Sequence, residues 1–350
     1  MCAGEVGDGM DSPNIHILSV RTALPGPPVD NVALAHRLGV GDSWARWAET
    51  GVGIRSRHLA RDLESGEITH TLADLGEAAA REALAAAGLD AQDVDLLVMG
   101  TSMPDMLMPA TVNIVADRLG IDGVPSYQVQ SGCAGVVQAM EIAVQRLAGG
   151  SARTALVLGG DTWVKHFDPS GDIKHLSPAE LVSMALAGDG AGCAVLSVEP
   201  RPGAAVVRRV RTRLVGGLPP AQTVEWFGAH AGTGAPAVTD DRGAVETQVP
   251  VLAAEAWREL LDDVGWKDSD VDAVLPPQHS GRVTERVCEL LGVAESSVTS
   301  RVEETGNNGN GLLLFQLERA LAGLGSGGRV VGLTVEATEW VRGGIAVEVL

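Results

Sequence analysis

Short apolar segments alternate with amphipathic segments along this chain, and that alternation restricts the fold more than any other feature. The segment Thr71–Gly88 has apolar residues at i, i+3 and i+4 and a closing glycine, which is typical of a helix packed on one face. Five other segments are short, apolar and rich in β-branched residues, as buried strands are: Asp95–Gly100, Thr154–Gly160, Gly192–Val198, Asp272–Pro276 and Arg329–Val335. Strands that alternate with helices predict an α/β fold in layers.

A weak internal repeat indicates two related halves. The helix and acidic turn that lead into the strand ending at Gly100 resemble Ala253–Gln278, where a helix again leads through an acidic turn into an apolar strand. We place the boundary near Ser197–Ala205, where Pro and Gly interrupt the pattern, so that the halves are residues 1–198 and 199–350. The Gly/Pro-rich stretch from about Gly216 to Gln248 is interpreted as a surface excursion or a lid.

Length and cysteine spacing exclude several classes of protein. A chain of 350 residues buries an ample core without disulfides. Its four cysteines are far apart and have no C-x-x-C or His/Cys ligand spacing, so we expect neither a disulfide framework nor a zinc or other metal site. The N-terminal residues lack a basic and apolar leader, and no window is apolar over the length of a bilayer. The expected location is the reducing cytoplasm.

The net charge of −19 limits the partners of the protein. Such a surface repels nucleic acid, anionic membranes and anionic carrier proteins unless a local basic patch opposes it. Aromatic residues make up only 3% of the chain, too few for a platform on which bases could stack. We therefore expect no nucleic-acid or membrane partner, and an acidic carrier would have to dock on a basic patch.

The segment "YQVQSGCAGVVQAMEIAVQRL" places Cys133 where an alternating pattern changes to a helical one. At a helix N-terminus, the helix dipole and unpaired backbone N–H groups favour the thiolate, which is the nucleophilic form. The flanking Gly132 and Gly135 allow a tight turn and close approach of a substrate. The other reading is a small core thiol, which is the commoner role of a free cysteine and which Cys193, inside "GCAVLSV", illustrates best.

Further segments favour the role of Cys133 as a nucleophile over that of a core thiol. "ETGVGIRSR", "TSMPDMLMPATVNIVADRLGI", "QSGCAGVVQAM", "GDGAGCAVL" and "ETGNNGNG" resemble the β-ketoacyl-acyl-carrier-protein synthase III family of the thiolase superfamily, from about Ile15 to Leu350. The resemblance implies a duplicated five-layer α-β-α-β-α fold and a homodimer. It also implies acyl transfer through a thioester on Cys133, with acyl-CoA or an acyl-carrier-protein thioester as the donor and no bound cofactor.

In this family a histidine and an asparagine assist the cysteine by stabilising an oxyanion and driving decarboxylation of a malonyl thioester. Asn307 in "ETGNNGNG" matches the asparagine, although Asn308 replaces the usual Thr. The histidine motif is displaced: alignment on Arg282 in "PPQHSGRV" puts Pro277 at the histidine position and His279 two residues later. Because two residues along a strand keep the same face, His279 either reaches the cavity at another depth or is a solvated loop residue.

His175 and His166 are weaker candidates for a base.

Two other departures from the family pattern weaken the case for ordinary fatty-acid initiation. "GLTVEATEWVRGG" replaces glycines of a loop lining the family's site with Glu336, Thr338 and Glu339. Near the N-terminus Trp47 is kept, but Gly51 stands where well-known members have an arginine that holds coenzyme A. The residues expected to bind substrate are Trp47, Met108, Trp163, Glu336 and Thr338.

The sequence therefore predicts an acyltransferase similar to synthase III enzymes of antibiotic and polyketide biosynthesis. It would move an acyl group through Cys133 to a hydroxyl, an amine or a carrier thiol of a small-molecule or carrier acceptor, with His279 and Asn307 as further catalytic candidates. Arg282 and Arg286, one helical turn apart, would dock the acyl carrier protein. Two alternatives remain open: a decarboxylating synthase that forms a carbon–carbon bond, and a catalytically silent partner subunit.

Overall fold

The computed structural model describes residues 13–166, 178–225 and 238–350. The strands are β1 (Ile15–Ala23), β2 (Val29–Asp30), β3 (Ser56–Arg57), β4 (Leu96–Thr101), β5 (Ser126–Gln130), β6 (Thr154–Asp161), β7 (Gly190–Ser197), β8 (Ala205–Leu214), β9 (Gln222–Val224), β10 (Val238–Asp240), β11 (Ala273–Leu275), β12 (Arg329–Glu336) and β13 (Val341–Val349). The helices are α1 (Asn31–Leu38), α2 (Asp42–Trp47), α3 (Leu72–Ala87), α4 (Thr111–Leu119), α5 (Gly135–Ala148), α6 (Pro178–Leu186), α7 (Arg242–Val264), α8 (Gly281–Leu291), α9 (Val302–Thr305) and α10 (Leu312–Gly323). A π-helical turn, Ala48–Val52, extends α2.

The main sheet has nine strands in the order β11-β12-β13-β8-β1-β7-β6-β4-β5. One half pairs β1 with β7 and β7 with β6 in antiparallel fashion, and then β6 with β4 in parallel. The other half repeats these directions with β8, β13, β12 and β11. β1 and β8 join the halves through a short antiparallel ladder. The repeated order agrees with a duplicated fold, and the connection between β7 and β8 contains the boundary placed at residues 198 and 199, which stays a prediction.

Three apolar clusters show that the layers follow the order α-β-α-β-α. Because side chains alternate across a strand, Leu97 and Met99 face α3 and α4 on the outside, while Leu96 and Val98 face α5. The buried layer that contains α5 and α10 packs against both halves of the sheet. α7 and α8 cover the outer face of β12. This is the thiolase-like five-layer arrangement that the resemblance implied.

α3 illustrates how the local sequence sets an element. The Thr71 hydroxyl accepts a hydrogen bond from the backbone N–H of Asp74, and the Asp74 carboxylate accepts one from the backbone N–H of Thr71, which together form a capping box. Gly88 ends the helix in a left-handed conformation with φ 63°. Such an N-cap stabilises a helix by about 1 kcal/mol. The predicted helix and the five predicted strands are all present, with ends shifted by no more than two residues.

The interpretation of the stretch from Gly216 to Gln248 as a surface excursion or a lid is wrong in part. β9 and β10 form an antiparallel ladder, and α7 begins at Arg242, where the Asp241 side chain accepts a hydrogen bond from the backbone N–H of Ala244. The sequence did not indicate these strands because each has only three residues, too few for a periodic pattern, and they lie in a stretch rich in Pro and Gly. No helix in the described part of the chain is long and apolar enough to cross a membrane.

Candidate active site

Cys133 lies between the end of β5 and the first turn of α5, as the sequence predicted. The backbone N–H of Gly135 donates to the carbonyl of Gly132 over 2.9 Å, which closes a tight turn around the cysteine. The Thr334 hydroxyl donates to the Cys133 carbonyl over 2.8 Å and ties this turn to β12. The expected thiolate is not favoured, however: burial, and then the negative charges of Glu336 and Asp161, raise the pKa of Cys133 well above its usual value.

Asn310 fixes the turn of residues 132–135, called the Cys133 turn below. Its Oδ1 accepts a hydrogen bond from the backbone N–H of Val136 over 2.9 Å, which satisfies an unpaired donor in the first turn of α5. Its Nδ2 donates to the Ser131 carbonyl over 3.1 Å and to Asp161 Oδ2 over 2.9 Å. Asn310 is fully buried, so all three contacts are protected from water. The side chain therefore fixes the backbone on both sides of Cys133.

Asp161, at the end of β6, anchors the same network. Its Oδ1 accepts hydrogen bonds from the Thr101 hydroxyl and from the backbone N–H groups of Ser102 and Met103, at 2.9, 2.7 and 2.8 Å. Oδ2 accepts from the backbone and side chain of Asn310. Burial raises the pKa of Asp161, and these hydrogen bonds act in the opposite direction. The network links the end of β4 to the Cys133 turn.

Glu336 places a carboxyl group directly beside the Cys133 turn. Its Oε1 accepts hydrogen bonds from the backbone N–H groups of Ala337 and Thr338, at 3.0 and 2.8 Å. Its Oε2 is buried and makes no hydrogen bond within the described chain. A Cβ atom at Gly132 would lie 1.7 Å from Oε2, so Gly132 provides the space that the carboxyl group occupies. The sequence indicated Glu336 as a departure in this loop, but not that it reaches Cys133.

His279 lies in the interior of the protein rather than in a solvated loop. It is 5% exposed and lines the same cavity as Cys133, whereas Pro277 is buried outside the cavity lining. The ring Nε2 lies 2.7 Å from the Val335 carbonyl, which can only accept, so Nε2 carries the proton. Burial lowers the pKa of His279, and the charge of Glu336 opposes that effect. The neutral ring thus keeps a lone pair on Nδ1.

Asn307 is held by two hydrogen bonds at the same cavity. Its Oδ1 accepts from the backbone N–H of Gly309 over 2.9 Å, which fixes the orientation of the amide. Its Nδ2 donates to the His279 carbonyl over 3.3 Å. An amide nitrogen has two N–H bonds, so one donor remains for a substrate. Asn308, in contrast, is fully buried and does not line the cavity.

These side chains surround one cavity of about 300 Å³. Its described lining consists of Ser102, Met103, Gln130, Ser131, Gly132, Cys133, Trp163, Ser183, Leu186, Ala187, Gln222, Val224, Val238, Arg242, His279, Asn307, Glu336 and Thr338. The lining thus brings together a thiol, an imidazole, an amide, a carboxyl group and a guanidinium group. Within the described ranges, no cluster of three or more His, Cys, Asp or Glu side chains is placed to hold a metal ion.

Two of the residues expected to bind substrate do not line the cavity. Trp47 is 38% exposed and packs against Trp44, with ring centroids 6.2 Å apart. A Cβ atom at Gly51 would lie 2.8 Å from the ring of Trp47, so the ring occupies the space where a longer side chain would begin. Met108 is 86% exposed and lies in the loop between β4 and α4. Trp163, Glu336 and Thr338 do line it.

The remaining candidates are placed as follows. His166 does not line the cavity, and burial lowers its pKa to about 4. His175 lies outside the described residues. Arg282 and Arg286 are both exposed on α8, but Arg286 forms an ion pair of 2.7 Å with Glu246, which weakens the expected basic patch.

Sequence reasoning missed four residues of this region. Asp161 and Asn310 had a signal, since one ends a buried strand and the other lies in the motif that contains Asn307. Gln222 and Arg242 had none, because they lie in the stretch that was interpreted as a surface excursion.

We expect Glu336→Gln to accelerate alkylation of Cys133 by iodoacetamide at neutral pH. The charge of Glu336 disfavours the thiolate, so its removal lowers the pKa of Cys133 and raises the thiolate fraction. Each unit by which the pKa falls increases the rate about 10-fold while the pH stays below the pKa. Peptide mass spectrometry as a function of pH measures this rate, with Cys193→Ala as the matched control. A slower or unchanged rate would remove Glu336 from the account of the thiol.

Three family profiles match the chain. The thiolase N-terminal domain matches residues 62–167. The profile of 3-oxoacyl-[acyl-carrier-protein] synthase III matches residues 127–211, and its C-terminal profile matches residues 261–337. Together these matches include Cys133, His279, Asn307 and Glu336.

Curated relatives agree with the profiles. The β-ketoacyl-[acyl-carrier-protein] synthase III of Neisseria meningitidis serogroup C is 31% identical over 287 residues, which cover 81% of this chain and 83% of the relative. The enzyme of the same description from Neisseria gonorrhoeae is 31% identical over 307 residues, which cover 87% of this chain and 88% of the relative.

Solved structures give the same result. AbyA1, described as a tetronic acid condensing enzyme, has a TM-score of 0.91 and 52% identity and covers 95% of this chain and 99% of its own. The Pseudomonas aeruginosa 3-oxoacyl-(acyl carrier protein) synthase III has a TM-score of 0.81 and 27% identity, with 96% and 98% covered. The priming β-ketosynthase of the R1128 polyketide pathway has a TM-score of 0.79 and 26% identity, with 99% and 98% covered.

Proposed function

Because this chain belongs to the 3-oxoacyl-acyl-carrier-protein synthase III family of the thiolase superfamily, we propose that it is a condensing acyltransferase that works without decarboxylation. Cys133 accepts an acyl group from a carrier-protein or CoA thioester and passes it to a neutral acceptor.

The position of Glu336 is the observation that supports this proposal most strongly. A malonyl thioester carries a carboxylate, which must lie near Cys133 when the thioester decarboxylates and attacks the acyl group. The Glu336 carboxylate repels that negative charge. A neutral acceptor with an acidic C–H or O–H group experiences no such repulsion, and no hydrogen-bond donor among the described residues occupies Oε2. The same carboxylate can accept a proton from the acceptor.

The hydrogen-bond donors present also favour acyl transfer without decarboxylation. Decarboxylative condensation uses two donors directed at a thioester carbonyl, but the Nε2–H of His279 is bonded to the Val335 carbonyl. The backbone N–H groups of Ala337 and Thr338 donate to Glu336 Oε1, so they are not available as oxyanion donors. The backbone N–H of Cys133 and the remaining N–H of Asn307 would stabilise the oxyanion.

In the loading step, the Cys133 sulfur attacks the donor thioester carbonyl as the thiol proton moves to the lone pair of His279. The carbon–sulfur bond to the carrier then breaks, and the carrier sulfur takes that proton as it leaves. A base is needed because burial and neighbouring charges keep the thiol protonated.

In the condensation step, Glu336 removes a proton from the acceptor carbon, and the resulting carbanion attacks the acyl-Cys133 carbonyl. A carbon–carbon bond forms, the carbon–sulfur bond to Cys133 breaks, and the thiolate recovers the proton. The 52% identity to AbyA1 supports a product of the tetronic acid type. Such a ring also contains a carbon–oxygen bond, which forms when a hydroxyl of the transferred acyl group attacks the acceptor thioester and releases its carrier thiol.

The resemblance to AbyA1 and to the R1128 priming ketosynthase supports a role in polyketide-type natural-product biosynthesis, with a homodimer as the proposed assembly. The second candidate is a decarboxylating synthase, which membership of the family favours. A silent partner subunit fits less well, because Cys133 lines a cavity together with His279, Asn307 and Glu336.

Carbon dioxide release separates these candidates. We expect the enzyme loaded with an acyl group to release no more carbon dioxide from a malonyl carrier thioester than Cys133→Ala does. Glu336→Gln removes the repelling charge and should raise that release. Release by the unmodified enzyme in a one-to-one ratio with a condensed product would establish the decarboxylating function instead.

Carrier docking on α8 gives a separate prediction. Arg282 is exposed, and no ion pair of its guanidinium group is found among the described residues, whereas Arg286 is paired with Glu246. We expect Arg282→Glu to raise the KM for a carrier-bound donor by about 3- to 10-fold, because charge reversal at an interface weakens attraction of an acidic carrier. The same variant tested with a pantetheine thioester is the control. An unchanged KM for the carrier-bound donor would exclude Arg282 from the docking surface.

A further inference from the structure

The buried helices α5 and α10 begin at equivalent points of the two halves of the fold. Cys133 lies two residues before α5, and Asn310 lies two residues before α10. Asn310 is not among the described residues that line the cavity, yet its amide is bonded on both sides of Cys133. A buried, uncharged side chain in this place acts on the geometry of its neighbours rather than on protons.

Asp161 determines which way the amide of Asn310 faces. The five hydrogen-bond donors around this carboxylate favour its ionised form, which can only accept. The amide nitrogen of Asn310 must therefore face Asp161 Oδ2, 2.9 Å away. This orientation leaves Oδ1 for the backbone N–H of Val136. The reversed amide would place an N–H against that N–H, so Asp161 fixes the contact between Asn310 and α5.

Glycines provide the space that this network occupies. A Cβ atom at Gly135 would lie 2.5 Å from Asn310 Oδ1, and one at Gly159 would lie 2.5 Å from the Asn310 carbonyl oxygen. Gly309 has a φ of 53°, and a Cβ atom there would collide with Asp161 Oδ2. The backbone around Asn310 therefore approaches more closely than any residue with a side chain would allow.

The segment between the two contacts of Asn310 contains the nucleophile. Asn310 Nδ2 donates to the Ser131 carbonyl and Oδ1 accepts from the Val136 N–H, so both ends of the segment are fixed. Between them, the backbone N–H of Cys133 lies towards its own sulfur, where it lowers the pKa of the thiol against the larger effect of burial. An N–H in that position also faces the oxygen of a carbonyl group that the sulfur attacks.

We propose that Asn310, oriented by Asp161, is the residue that positions the backbone N–H of Cys133 as an oxyanion donor. The inference rests on the acylation of Cys133 in the proposed function. When the sulfur attacks a thioester, the carbonyl oxygen becomes an oxyanion and accepts a hydrogen bond from this N–H. The carbonyl then forms again as the carbon–sulfur bond to the leaving thiol breaks. Asn310 touches neither the substrate nor the thiol, so it is a positioning residue.

Two reactions of the same thiol distinguish positioning from a general structural role. Iodoacetamide alkylates the sulfur by displacement of iodide at a saturated carbon, which forms no oxyanion. p-Nitrophenyl acetate acylates the sulfur through a tetrahedral oxyanion. Asn310→Ala should slow acylation of Cys133 by about 10- to 100-fold, because the donor is misplaced. It should change alkylation by less than about threefold. Peptide mass spectrometry measures both rates at neutral pH.

Asp161→Asn should change the two rates in opposite directions. Its amide would present an N–H to Asn310 Nδ2, so the Asn310 amide loses its orientation and acylation should slow by about 10-fold. The negative charge of Asp161 raises the pKa of Cys133, so its removal should accelerate alkylation. This variant keeps the test decisive if Asn310→Ala does not fold.

The matched control is Asn308→Ala. Asn308 is an asparagine of the same motif and is fully buried like Asn310, but no hydrogen bond of its amide is found in the described part of the chain. The ratio of acylation to alkylation should therefore stay as it is in the unmodified protein.

Two results would overturn the assignment. The first is an unchanged ratio of acylation to alkylation in Asn310→Ala or, if that variant does not fold, in Asp161→Asn. The second is equal slowing of both reactions, which indicates a collapsed turn. Failure of the proposed function is a different result: Cys133 would be acylated with the expected dependence on Asn310, but no neutral acceptor would discharge the adduct.

Discussion

Cys133→Ala is expected to abolish both the covalent acyl adduct and all turnover. The residue lies at the start of α5 on the wall of the cavity, and no other described cysteine lines that cavity. Loss of the one thiol in the described lining of the cavity removes the covalent route entirely, an effect larger than that of removing an assisting group. Intact-protein mass spectrometry after incubation with a panel of acyl thioesters measures the adduct directly.

The matched control for this experiment is Cys193→Ala. Cys193 is fully buried in β7, where burial raises the pKa of its thiol, and it should have no part in acylation. This variant should keep full labelling, provided that it folds. An acyl adduct that persists in Cys133→Ala would disprove the assignment of the nucleophile.

His279→Ala is expected to slow acyl transfer by about two to four powers of ten. The Nε2–H of His279 is fixed on the Val335 carbonyl, so Nδ1 is the lone pair that can accept the Cys133 proton. Because the pKa of the thiol is raised, loading depends on that base. The rate of adduct formation in a stopped-flow or quenched reaction is the measurement, and added imidazole should restore part of the rate.

His166→Ala provides the comparison, since His166 lies outside the cavity lining. This substitution should lower the rate of adduct formation by less than about threefold, because a change away from the site acts through stability alone. If His279→Ala had an equally small effect, or if imidazole gave no rescue, His279 would be a packing residue and another group would take the proton.

The fold was accessible from the sequence because its signals are local. Buried strands such as β4 and β6 are continuous apolar runs, and α3 has both its capping residues in the sequence. The motif around Cys133 also predicted its place at the start of α5. Each of these features depends on residues that are neighbours along the chain, so periodicity and capping rules identify them.

The electrostatics of the site could not be predicted in this way. The sequence placed Cys133 at a helix N-terminus and suggested a thiolate. Burial, and then the carboxyl groups of Glu336 and Asp161 from distant strands, instead raise the pKa of the thiol. The place of Arg242 in the cavity lining was not predicted because it depends on how β9 and β10 pair beside the cavity. The motif left two positions of His279 open. The choice between them required the three-dimensional path of residues 276–281, which the sequence pattern does not give.

The most direct test of the central claim is a single-turnover reaction of the isolated acyl-enzyme. Protein loaded at Cys133 with an acyl group is freed of donor and divided into two portions. One portion receives a neutral acceptor with an acidic C–H group, a 3-oxoacyl carrier thioester, and the other receives a malonyl carrier thioester. Intact-protein mass then follows the loss of the adduct. We predict that the 3-oxoacyl thioester discharges Cys133 with formation of a condensed product, and that the malonyl thioester leaves the adduct in place. Discharge by the malonyl thioester with release of carbon dioxide, and none by the 3-oxoacyl thioester, would contradict the account.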